Sequence, residues 1–100
     1  MDDRIHIYYP RGRMELVLSN FFPCTVREAR IVFPLINTYA EDTEKEKLRQ
    51  YLRNYAQEKQ GAIKIMEADY QCGRRRPGRN YRQAQALYKR AIRNLDFLED

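Results

Sequence analysis

A chain of 100 residues makes one small domain with a modest core. Lysine and arginine outnumber aspartate and glutamate 19 to 14, and no apolar run approaches the roughly 18 residues of a membrane span. The two cysteines, Cys24 and Cys72, lie too far apart for a zinc knuckle or a CxxC redox pair.

The start, Met1-Asp2-Asp3-Arg4, is acidic and lacks the apolar stretch of a secretory signal, so two reduced thiols in the cytoplasm are expected. Eight tyrosines and no tryptophan suit half-buried and interface positions, since the phenol joins an apolar ring to a polar tip. The charge is unevenly placed. Residues 1–42 carry net −1, residues 43–72 net +1, and residues 73–100 net +5.

Residues 4–9 alternate, with Ile5, Ile7 and Tyr9 on one face of an extended strand. Pro10-Arg11-Gly12-Arg13 is a turn signal, and Met14, Leu16 and Leu18 alternate after it. The pattern predicts a β-hairpin that must lie against helices to be stable. Its second arm is the weaker strand, because Met, Glu and Leu favour helix.

Thr25-Val26-Arg27-Glu28 is a capping box opening a helix through about Tyr39. Apolar residues surround that helix, which marks it as the core element. Pro34 should kink or split it, because proline removes a backbone donor. Asp42 or Thr43 is the expected cap of a second helix. Its stripe runs through Leu48, Leu52, Tyr55, Ile63, Met66 and Tyr70, with a weak point at Gly61. Unbroken, residues 43–72 would span about 45 Å, so part should project. Asn80 with Gln83 resembles another cap. A third stripe follows: Ala84, Leu87, Ala91, Ile92, Leu95 and Leu98. Two amphipathic helices joined by a short turn should pack antiparallel, with Leu87, Ala91, Ile92 and Leu95 facing Leu52, Tyr55, Ile63 and Met66. The expected fold class is therefore α+β, one domain over residues 1–100. An N-terminal β-hairpin packs on a three-helix unit in the order ββααα.

Gly73-Arg74-Arg75-Arg76-Pro77-Gly78-Arg79 joins the last two helices. Guanidinium forks match phosphate and carboxylate oxygens. Arg74, Arg75, Arg76 and Arg79 form the candidate binding group, and Arg82, Lys89, Arg90 and Arg93 extend it along the next helix. Three readings stand: nucleic-acid phosphates, an acidic protein surface, or a solvated loop whose arginines favour a helix C-terminus. The tyrosines fall in or beside the stripes, where packing outweighs base stacking.

Catalytic constellations are missing. His6 is the lone histidine and has no evident orienting partner. Cys24 precedes a helix N-terminus, which could lower a thiol pKa, but as a nucleophile it has no base other than His6, so Cys24 and Cys72 are both expected to be small, partly buried side chains. The carboxylate pairs Glu44/Glu46 and Glu67/Asp69 point to different helix faces. Gly78 is followed by Arg-Asn rather than Lys-Ser or Lys-Thr, so no P-loop is present. The expectation is a non-enzyme without cofactor or metal.

Two resemblances add to this. Ala84, Tyr88 and Ala91 in the last helix resemble the small-aromatic-small spacing of the second helix of a tetratricopeptide repeat. The first helix of such a repeat has no counterpart. As a short, Arg- and Tyr-rich chain without catalytic motifs, the whole resembles small orphan accessory proteins of bacterial conjugative elements and phages, anti-CRISPR inhibitors among them. That resemblance implies nucleic-acid binding, or inhibition of machinery that binds it. The expected partner is thus DNA or RNA, with an acidic protein surface as the alternative and no membrane.

Overall fold

The fold was read from a computed structural model. It describes the backbone of residues 6–8 and 15–17, and residues 21–73 and 78–98 in full. Three helices follow one another: α1 (Val26–Tyr39), α2 (Asp42–Gln71) and α3 (Arg79–Phe97). They make up 85% of the fully described part, which contains no strand. The fold is therefore helical, and the α+β expectation is overturned. Near the N-terminus, β1 (His6–Tyr8) and β2 (Glu15–Val17) pair antiparallel over three residues each, with Ile7 opposite Leu16. Among the fully described residues, the core is built by the helices and the segment before α1. Alternation favours local strand pairing, but it does not make a layer.

Thr25 caps α1, as its spacing from Glu28 implies. The Glu28 N–H donates to Thr25 Oγ1 at 3.3 Å, and the Thr25 hydroxyl donates to the Glu28 carboxylate at 2.8 Å. Pro34 does not split the helix. α1 runs unbroken for 14 residues, with Pro34 on its exposed side, where water can reach the freed carbonyl. α2 is continuous through Gly61 for 30 residues, about 45 Å. Its cap is Glu41 rather than Asp42 or Thr43, and α3 starts after Gly78 rather than at Asn80.

α2 and α3 form an antiparallel hairpin. Tyr70 meets Tyr81 near the turn, while Arg53 and Leu95 border one furrow at the far end. α1 joins only that far end. Its Phe33 stacks on Phe97 with centroids 5.5 Å apart, and the Asn37 amide donates to the Phe97 carbonyl at 3.2 Å. The core gathers there: Phe22, Phe33, Ile36, Leu48, Leu52 and Leu98, with Cys24 among them. Beyond Ala56, no residue of α2 is buried. The hairpin continues past the core as an arm, in a molecule 56 Å long.

The expected seam between α2 and α3 is partly realised. Ala91 and Leu52 are buried, whereas Leu87, Leu95, Tyr55, Ile63 and Met66 are half-buried and Ile92 is exposed. Two helices alone can bury only the line where they touch. A third helix is needed to cover the flanks, and α1 is too short to reach the arm.

Candidate functional site

The arm's tip carries the first candidate site. Gly78 precedes α3 in extended conformation, no side chain caps the helix, and its first turn holds no acidic residue. The Arg82 N–H closes the first helical hydrogen bond on the Gly78 carbonyl at 3.1 Å. The N–H groups before it have no acceptor within the helix and point outward, giving this end partial positive charge. Arg79 and Arg82 are both exposed here and, with Gly78 and Gln83, border a shallow concavity. Arg74, Arg75 and Arg76 lie outside the described residues.

A second hollow of about 260 Å³ opens beside Arg79, between the last turns of α2 and the first of α3. Tyr70 and Tyr81 meet edge to face at 5.1 Å in its wall, and Asp69 is its one carboxylate among the described residues. The Tyr81 hydroxyl donates to Glu67 at 3.3 Å and accepts from the Gln85 amide at 2.9 Å. Desolvation, and then the Glu67 charge, push that phenol above its ordinary pKa, so it stays a neutral donor. Both rings thus serve the helix seam. Tyr55 and Tyr88 are likewise half-buried, and Tyr51 packs on the core and donates its hydroxyl to the Phe22 carbonyl at 3.4 Å.

The rest of the predicted basic group divides. Lys89 and Arg82 are both exposed, seven residues apart and so close to one face of α3. Arg90 is half-buried, and its charge reaches Tyr55 and Cys24 in the body. Arg93 is also half-buried, and its Nη2 donates to the Cys24 carbonyl at 2.9 Å. Arg93 therefore holds the segment before α1 to α3 and leaves the basic surface. Its helical position faces outward, but a long side chain bends back to an unpaired backbone acceptor.

The thiols also part company. Cys24 is buried, and burial followed by the nearby Glu28 charge pushes it up to about 11. Cys24 is thus the packed side chain expected of it, and desolvation outweighs any lowering by the start of α1. Cys72, expected to be partly buried, is exposed, because the end of α2 lies in the thinly packed arm. His6 lies in β1 opposite Val17. Among the described residues, no three metal-ligating side chains gather, and no helix is long and apolar enough to cross a membrane.

Sequence reading missed Asn94. It is fully buried, and its Oδ1 accepts from the Cys24 N–H at 2.9 Å and from the Cys24 thiol at 3.6 Å. The backbone donor fixes the amide's orientation. Nδ2 is buried without a partner. The available signal was its place in the apolar stripe, three residues after Ala91 and four before Leu98.

Searches among protein-family models, curated proteins and solved structures return no match to this chain.

Proposed function

We propose that this protein is a non-enzymatic binder of nucleic-acid phosphates, acting through the tip of the α2–α3 arm. The observation that carries this reading is the joint placement of charge and exposure. Residues 73–100 hold eight basic and three acidic side chains, and Arg79 and Arg82 stand exposed beside the uncapped start of α3. Backbone N–H groups and guanidinium forks both suit phosphate oxygens. The arm carries them away from the core, so a strand can reach them without meeting α1.

Contacts of this kind position a strand without reading its sequence. Two unrelated oligonucleotides should therefore bind alike, and affinity should fall steeply with salt. The test is fluorescence anisotropy of the full chain against both probes over a salt series. Arg74, Arg75, Arg76 and Arg79 are changed together to glutamine in the comparison variant. The log–log salt slope should drop by about 0.9 per lost contact on duplex, or about 0.7 on single strands. An unchanged slope and affinity would remove the tip as the binding site. A wild-type chain that binds neither probe would remove the function.

A further inference from the structure

The hairpin has a second surface, apart from the tip. Ile92 and Asn94 stand about 200° apart around α3, so when Asn94 turns toward α1 and Cys24, Ile92 faces away. On that opposite flank, α2 and α3 leave an open furrow made of two neighbouring hollows of about 280 and 240 Å³, which share Gln60 and Tyr88. Half-buried Ile63, Tyr88 and Leu95 line it, with Ile92 at 38% exposure. From Arg53 to Lys64 it follows α2 for about 16 Å, or three helical turns.

Its rim is cationic. Arg53 borders one end and already shares Glu46 at 3.4 Å. Lys64 and Lys89 border the other, and neither pairs with a carboxylate among the described residues. Glu67 is the one acid on the rim, and it accepts the Tyr81 hydroxyl. An apolar strip of Ile63, Tyr88, Ile92 and Leu95, with glutamines beside it, Lys64 and Lys89 at one end and Arg53 at the other, is the complement of one ligand shape. That shape is an amphipathic helix with an apolar stripe and acidic flanks.

We infer that this furrow docks an acidic amphipathic helix of about three turns from a partner protein. A second copy of the chain fits worse. A twofold pairing through the same face would set one cationic rim against the other, Lys64 and Lys89 of one copy against Arg53 or the lysines of the next. Nucleic acid fits worse as well, because the furrow spends its depth on apolar side chains rather than on phosphate donors.

The experiment displays a library of helical 15-residue peptides to the purified full chain and sequences those retained. Retained peptides should carry apolar residues at i, i+3 or i+4, and i+7, flanked by aspartate and glutamate. The best of them, made synthetically, should bind wild type. It should bind the Lys64→Glu/Lys89→Glu variant about tenfold more weakly or worse, and Ile92→Glu should abolish binding. All three positions are exposed, and circular dichroism checks that helicity is kept. Arg79→Gln/Arg82→Gln should leave peptide affinity unchanged, which separates this surface from the tip. An unenriched library, enrichment of basic or neutral flanks, or indifference to the lysine reversals overturns the proposal. So does a dimer in sedimentation that Ile92→Glu converts to monomer, since the second copy would then own the furrow.

Discussion

The two ends of the α2–α3 hairpin use the same amphipathic period and reach different burial. At the body end, Leu48, Leu52, Ala91 and Leu98 are buried with α1's Phe33 and Ile36. In the arm, Ile63, Met66, Leu87 and Tyr88 keep the spacing but stay half-buried, and Ala84 is the one buried residue of α3 before Ala91. The difference is the third helix. Apolar spacing selects the side of a helix that seeks cover, and the number of neighbours decides how much cover it finds. The end that packs least is also the end that carries the exposed Arg79 and Arg82, while the furrow runs from the body's edge at Arg53 and Leu95 into the arm at Lys64 and Lys89. The closed core thus sits at one end of the hairpin, and the exposed cationic side chains of the tip at the other.

The strongest way to break this comparison is to make the same truncation at both ends. Leu52→Ala opens a cavity in the closed core and should cost about 2–5 kcal/mol. Leu87→Ala removes a side chain that water already reaches, and should cost about 1 kcal/mol. Urea unfolding of the two variants checks both. Equal losses would mean that the arm is packed as tightly as the body.

Asn94 sharpens the account of the body. Its Oδ1 satisfies the buried Cys24 N–H, the link that joins the segment before α1 to α3. Asn94→Ala leaves that donor unpaired and should cost about 1–3 kcal/mol. The unpartnered Nδ2 works the other way, since its removal relieves a buried polar group. The net loss should therefore fall below that of Leu52→Ala. Stability equal to wild type in denaturant would show that the Cys24 contact contributes no more than the unpartnered Nδ2 costs.

These residues also mark how far the chain could be read in advance. The helices, the Thr25–Glu28 cap and the antiparallel pairing of α2 and α3 were legible, because local period and capping chemistry act over three or four residues. The fold class was not. Alternation around Ile7 and Leu16 favours a strand pair, yet it says nothing of whether the pair joins a core. Asn94 was passed over because polarity outweighed its position in the stripe. Arg93 was grouped with the basic surface because spacing records direction and not reach. At Cys24 a packed side chain was the expectation, while the depth of its burial depends on Asn94, 70 residues away in sequence. Of the candidate site, Arg79, Arg82 and Lys89 are exposed as the pattern implies. The furrow needed both helices in place before it existed.

The smallest expected effect belongs to the arm, and it runs in the stabilising direction. Gly61 sits mid-helix in α2, exposed, and an added Cβ there would meet nothing within 4 Å. Glycine in a helix interior is less favourable than alanine by about 0.5–1 kcal/mol, because the flexible backbone loses more freedom on folding. Gly61→Ala should recover about that much, with no new contact needed. Where it appears depends on how the two ends are coupled. If the molecule unfolds as one unit, the gain shows in the global denaturation midpoint. If the arm opens before the body, the gain shows as slower amide hydrogen exchange across residues 57–71 while the midpoint stays fixed. Thin packing along the arm favours the second outcome. A midpoint that rises by the full amount, with exchange slowed equally in α1, would show that body and arm fold as one.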